Sequence, residues 1–266
     1  MKKSLSVVLV LVLLAGLSTS VLAERFGRPG ANLAKGQWSL GLEYNYIEEE
    51  IDLDIPDGWV VDRGEVQACR NQVLVRAGYG LTDKIEAFLK MGGTATDVSD
   101  AFVGDTVIPG QRVGLGFAED SDGNMEFTIA GGLACTIIED GNFKLGVNGT
   151  LMYFTTDDTA ESRLVGLQGM DADIFKVEGA LMASYKMGKV TPYGGVVMSI
   201  HDADARYRTL VPAAIPLIAD IDVDQEDWFG MVVGANMEVA DNVNVGLELT
   251  HVSEGVGLSV GVNCAL

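Results

Sequence analysis

Between Phe127 and Phe154 apolar residues recur on a two-residue period in two runs that share one plan. In the first, Phe127, Ile129, Leu133, Cys135 and Ile137 fall on one side, and Glu126, Thr128, Ala130, Gly132, Ala134 and Thr136 on the other. In the second, Phe143, Leu145, Val147, Leu151 and Tyr153 stand opposite Lys144, Gly146, Asn148, Thr150 and Met152. A period of two is the pleat of a β-strand. The intervening Glu139-Asp140-Gly141-Asn142 supplies residues that accept positive φ. The two runs therefore predict one β-hairpin with an apolar face and a face that is polar or small.

The same alternation recurs along the chain and predicts ten strands. The first carries Trp38, Leu40, Leu42, Tyr44 and Tyr46 on its apolar face, and an acidic loop, Glu48 to Gln67, follows it. The second runs from about Asn71 to Gly80 and turns at Leu81 to Lys84 into the third, Ile85 to about Thr96. A long acidic segment, Asp97 to Asn124, leads to the hairpin just described, which a loop from Thr155 to Asp173 separates from the next. That next hairpin holds Phe175, Val177, Leu181, Ala183 and Tyr185, turns at Met187 to Lys189, and continues from Val190. After a loop from His201 to Asp227 come strands containing Phe229 to Met237, Val243 to Leu249, and Val256 to Leu266. Short turns follow the even-numbered strands, and long loops follow all but the last of the odd-numbered ones. That sorting is the layout of an antiparallel barrel that crosses a membrane, with short turns on one rim and long loops on the other. A soluble sandwich has no reason to sort its loops by length. An eight-stranded barrel is the alternative count, obtained if 112–117 or the short last loop is assigned differently.

On the non-apolar face, charges stand singly among glycines instead of forming the dense polar cover of a solvated sheet. Glu43, Arg76, Glu86, Lys90, Glu126, Lys144, Lys176, Glu178, Lys186, Glu238 and Glu248 all fall there, with both signs represented. Buried charges must be paired, so this set predicts a ladder of ion pairs inside a narrow lumen. Trp38, Tyr79, Tyr153, Tyr185 and Trp228 lie at strand ends, where aromatic girdles meet the membrane interfaces.

Lys2 and Lys3 precede an apolar run, Val7 to Leu17, and Val21-Leu22-Ala23 has the small residues of a cleavage site, so residues 1–23 read as an export signal. Residues 24–35 form a short tail, and 36–266 the barrel. No other apolar run reaches the roughly 20 residues of a helical span. The net charge of −20 argues against nucleic acid as a partner. Cys69, Cys135 and Cys264 are too scattered for a disulfide framework or a metal site.

The chain ends in Ser259-Val260-Gly261-Val262-Asn263-Cys264-Ala265-Leu266. With these residues the mature chain resembles the OmpA-like and opacity-type family of small outer-membrane β-barrel proteins. In that family the last strand carries a polar residue, a glycine two later, and apolar residues at the antepenultimate and last positions. Ser259, Gly261, Cys264 and Leu266 match that register. The resemblance implies a bacterial outer-membrane location, recognition of these four residues by the barrel-assembly machinery, and contact with the bilayer and its outer-leaflet headgroups.

No spacing here carries a reaction. His201, Asp202 and Asp204 lie at the loop end of one strand, and Asp97 and Asp100 at that of another, but the Asp-x-His order of the omptin proteases is missing. Asp120, Asp122, Asp220, Asp222 and Asp224 are acidic without a complete calcium-loop ligand set. The expectation is a non-enzymatic protein without metal or cofactor, with a largely filled lumen and a structural or surface-interaction role exercised through its extracellular loops. A narrow porin-like channel or small-solute binder is the alternative, and an omptin-like surface protease a third. Leu210 to Ala219, apolar and holding two prolines, is expected in a loop.

Overall fold

The computed structural model describes the backbone of residues 27–54, 64–99, 103–108, 111–116, 124–162, 166–209, 217–223, 229–252 and 255–266, and side chains within these except at 49–67, 98–123, 156–172 and 201–228. The strands are β1 (Trp38–Asp54), β2 (Gly64–Thr82), β3 (Ile85–Ser99), β4 (Val103–Ile108), β5 (Gln111–Gly116), β6 (Glu126–Asp140) and β7 (Phe143–Ser162), followed by β8 (Gly166–Tyr185), β9 (Val190–Thr209), β10 (Leu217–Val223), β11 (Phe229–Ala240), β12 (Val243–Val252) and β13 (Gly255–Ala265). Ten of them close an antiparallel barrel in the order β1-β2-β3-β6-β7-β8-β9-β11-β12-β13, with β13 pairing back onto β1. The other three belong to the loop side: β4 and β5 form a separate hairpin, and β10 inserts between the upper ends of β9 and β1.

Register fixes the geometry of the barrel. A row of paired residues leaves β9 at Val190 and passes Met237, Val245, Val262, Leu42, Val75, Met91, Ile129, Tyr153 and Phe175. It regains β9 at Asp202, 12 residues further along (202 − 190). That stagger over ten strands tilts them by roughly 40° and sets a backbone radius of roughly 10 Å. The row is apolar until it emerges at Asp202, so it also traces the outer face across the membrane.

Among the described side chains, the outer face is the apolar one in every strand of the barrel. Trp38, Leu40, Val75, Leu89, Leu133, Leu151, Leu181, Val233 and Leu249 are all exposed, while the alternate positions face inward. Trp38 and Tyr79 stack with ring centroids 4.6 Å apart near the turn rim, and Tyr153, Phe175 and Phe229 lie exposed toward the loop side. Trp228 and the export signal assigned to 1–23 lie outside the described residues. The turn rim is tight because the turns contain the required positive-φ residues: Gly141 (57°), Gly188 (64°) and Asn242 (66°). A closed barrel wrapped in an apolar band, with short periplasmic turns and an acidic extracellular side, is an outer-membrane architecture.

The long loops are mostly strand. Residues assigned to loops at 48–67, 155–173 and 201–227 include β1 to Asp54, β2 from Gly64, β7 to Ser162, β8 from Gly166 and β9 to Thr209. Outside the bilayer the alternation no longer has an apolar side to follow, and the acidic composition of these stretches hides their pairing. Of the apolar stretch Leu210 to Ala219, the last three residues open β10 at Leu217, and 210–216 lie outside the described residues.

Candidate functional site

The site is the lumen, and its walls come from the inward half of each alternation. Glu43 on β1, Arg76 on β2, and Glu86 and Lys90 on β3 converge there because the register sets Gly41 beside Arg76 and Arg76 beside Lys90. Lys90 Nζ lies 2.7 Å from Glu43 Oε2, Arg76 Nη2 2.7 Å from Glu86 Oε1, and Arg76 Nε 3.8 Å from Glu43 Oε1. The Phe88 ring fills the space beneath them, with the Arg76 guanidinium 4.7 Å and the Lys90 ammonium 5.5 Å from its centroid. Gly132, opposite Phe88, has no room for a Cβ because the Gly149 carbonyl and the Phe88 ring occupy that place.

The remaining predicted charges distribute differently. Glu248 is fully buried and accepts a hydrogen bond from the Tyr193 hydroxyl at 3.0 Å. Lys176 and Glu178, both buried on β8, are 3.3 Å apart. Lys186 and Glu238 pair at 2.7 Å, but they do so half-exposed at the turn rim and outside the lumen proper. Lys144 also stands at that rim, 3.7 Å from Glu139. Glu126 sits at the loop end of β6 opposite Thr94 and has no ion-pair partner among the described residues. Among the described residues these charges therefore enter one four-membered network, one pair along β8 and two rim pairs, with Glu248 held by hydrogen bonds.

Of residues 24–35, set apart in the sequence as a tail, those from Gly27 to Leu33 run inside the barrel and occupy its turn-side half, while Ala34 and Lys35 are exposed at the rim. Gly27 N donates to Glu248 Oε2 (3.1 Å), Gly30 N to Asn148 Oδ1 (3.3 Å), Ala31 N to Thr136 Oγ1 (3.1 Å) and Asn32 N to Glu86 Oε2 (2.9 Å). Lys144 Nζ donates to the Ala31 carbonyl (2.9 Å) and Asn148 Nδ2 to that of Arg28 (3.2 Å). Ala31 and Leu33 are buried, and Gly36 N donates to the Gly80 carbonyl while Gly80 N donates to that of Gln37, which seals the segment to the rim. Inward glycines make the space: a Cβ at Gly146 would fall on Gly30, one at Gly80 on the Ala34 carbonyl, and one at Gly78 within 3.2 Å of Leu33 Cδ1. The composition of the tail gave no sign of this. The available signal was the coincidence of glycines at 27, 30 and 36 with inward glycines on β2 and β7.

Above the segment, side chains close the bore. Leu74, Phe154, Met182, Gln72, Thr94 and Thr128 are all fully buried. Gln72 bridges Asn45 and Thr94, and Thr94 hydrogen-bonds Thr128. A cavity of about 30 Å³ lies beside Asn32, Glu43, Arg76, Lys90 and Asn263, room enough for ordered water.

In the predicted assembly signal, Ser259 and Gly261 are buried in the lumen wall, while Cys264 and Leu266 belong to the outward face. Leu266 N donates to the Trp38 carbonyl at 2.8 Å, so the last residue belongs to the seam that shuts the barrel. At the mouth, His201 is paired in register with Lys176, but its side chain and those of Asp202, Asp204 and Asp100 lie outside the described residues. Asp97 pairs with Cys69 on the outward alternation, so it does not join the lumen side of the mouth. His251, also outward, is held by Gly255 O at 3.1 Å. Among the described residues no group of three or more His, Cys, Asp or Glu side chains is placed to hold a metal. The acidic residues Asp120, Asp122, Asp220, Asp222 and Asp224 lie outside the described side chains.

No protein-family model and no curated protein matches the chain. Solved structures do. The outer-membrane protease OmpT from Escherichia coli aligns with a TM-score of 0.53 at 10% identity over 86% of this chain and 97% of that one. The outer-membrane protein OprG from Pseudomonas aeruginosa aligns with a TM-score of 0.50 at 14% identity over 88% of this chain and 97% of that one. At such identities the likeness is one of fold, and the fold is that of small bacterial outer-membrane β-barrels.

Proposed function

We propose that this outer-membrane barrel is a structural and surface-interaction protein whose lumen passes no solutes. The observation that carries this reading is the double closure of the bore: residues 27–33 occupy its turn-side half, and Leu74, Phe154, Met182 and their polar neighbours fill the half above. Eight-stranded barrels are filled by their own side chains, and open aqueous channels belong to barrels of 16 to 18 strands. Ten strands leave some excess bore, and the N-terminal segment occupies it. What the molecule offers to the outside is then its extension beyond the bilayer, a strand-built acidic projection suited to a surface partner. The reading includes no hydrolytic role, in keeping with the outward register of Asp97. Assembly through the machinery that reads Ser259, Gly261, Cys264 and Leu266 belongs to the same proposal.

Purified protein in planar bilayers tests it. The expected result is no stable large conductance and, in liposomes, no sugar uptake. A steady porin-sized current would overturn the reading, and a small, steady current would replace it with the narrow-channel alternative.

A further inference from the structure

The way the N-terminal segment is held differs from the way the strands hold one another. Strands pair main chain to main chain, but the barrel grips residues 27–32 with side chains from four different strands. Glu86 on β3, Thr136 on β6, Asn148 and Lys144 on β7 and Glu248 on β12 each reach a main-chain N–H or C=O of the segment. Recognition is therefore of a bent backbone, with bends at 28–30 and positive φ at Gly27 and Gly30, and is largely indifferent to side chains. Its selectivity lies in size: Gly146 and Gly80 admit the chain only where it comes closest, and Gly30 itself (φ 71°) has no room for a Cβ against Thr136. Polar side chains converging on a backbone, lined with glycine where the ligand touches, describe a binding site rather than an ordinary strand contact.

We propose that the turn-side half of the lumen is a peptide-binding site, occupied in cis by residues 27–34, that accepts a peptide of the same small-residue, glycine-bent pattern in trans once the resident segment is removed. Gly36, exposed, at φ 80° and with nothing within 4 Å of its Cβ position, is the joint between the segment and β1. The tether gives the resident an effective concentration in the millimolar range, so a free peptide gains entry only when the resident is absent or unseated. The proposal is read by binding and not by current, so its failure and that of the closed-lumen reading are separable.

The test uses the chain with residues 27–34 deleted, its fold verified by heat-modifiable mobility, and a fluorescent peptide spanning residues 24–35. Saturable binding is expected, weakened at least tenfold by Gly30→Val in the peptide or by Asn148→Leu in the barrel, and at least tenfold weaker to the intact protein. A folded deletion variant that does not bind, or that binds the Gly30→Val peptide equally, overturns the proposal. Should the deletion variant not fold, Ala31→Cys in a background without Cys69, Cys135 and Cys264 takes its place. Maleimide should label it at least tenfold faster when Gly146→Val is added, because the new side chain falls on Gly30 and unseats the segment. Equal rates with and without Gly146→Val would overturn it.

Discussion

Glu43 and Lys90 are two charges taken out of water and returned to each other at 2.7 Å, with side chains 7% and 4% exposed. Each has its desolvation offset chiefly by the other, and Arg76 adds a second, longer contact to Glu43. Removing one partner strands the second in the lumen, which costs about 3–5 kcal/mol, whereas replacing both with apolar groups of similar volume costs far less. Glu43→Leu is therefore expected to lower the free energy of unfolding by that amount, and Glu43→Leu with Lys90→Leu by clearly less than the sum of the single changes. Urea unfolding in lipid vesicles, run on both single variants and the double, reads the coupling directly. Additive losses would mean that the two side chains are solvated independently. Lys186 and Glu238 offer the contrast: the same 2.7 Å contact, half-exposed at the rim, is worth at most about 1 kcal/mol.

For single strands, position relative to the bilayer decides the cost of a charge. Val147 and Leu181 face outward, pair directly with each other across β7 and β8, and sit midway up the apolar band. Arg at either should cost about 2–4 kcal/mol, falling to about 0–1 kcal/mol for the same change close to an interface. The terminal strand is sensitive for another reason. Gly261 lies between Glu43 on β1 and Gly246 on β12, and Leu266 ties its backbone to Trp38. Gly261→Leu or Leu266→Asp is expected to reduce the heat-modifiable folded fraction of outer-membrane protein, and normal folding of both would remove the octet from the account of assembly. These membrane-spanning stretches were legible in the sequence because lipid on one side and a packed lumen on the other force a strict alternation. The upper ends of β1, β2, β7, β8 and β9 were not, since Asp157, Asp158, Asp171 and Asp204 carry no such alternation. The charge network was legible as a set of inward positions but not as pairs. Which of them meet depends on a 12-residue stagger that only the closed barrel reveals. The place of residues 27–35 was hidden for a similar reason, because Gly30 and Gly146 are distant in sequence and meet only across the bore.

At the scale of the whole molecule, strand length exceeds what a membrane needs. At a tilt of roughly 40° each residue climbs roughly 2.5 Å along the barrel axis. The ten residue steps from Phe143 to Tyr153 on β7 thus span roughly 25 Å, the height of an outer-membrane apolar band. The full twenty residues of β7, like those of β8 and β9, climb roughly twice that, so about half of each hairpin stands outside the bilayer. If membrane insertion depends only on the lower half, the upper half can be removed without loss of the barrel. Thr156 and Ala172 are paired in register, and Asn-Gly between them would supply a two-residue turn in place of residues 157–171. That deletion is expected to insert, to keep its heat-modifiable mobility and to unfold in urea within about 1 kcal/mol of the parent, because no described lumen contact is touched. Loss of insertion would show instead that the projecting hairpin helps to form the barrel, and the extracellular half would then be part of the folding unit and not a platform built upon it.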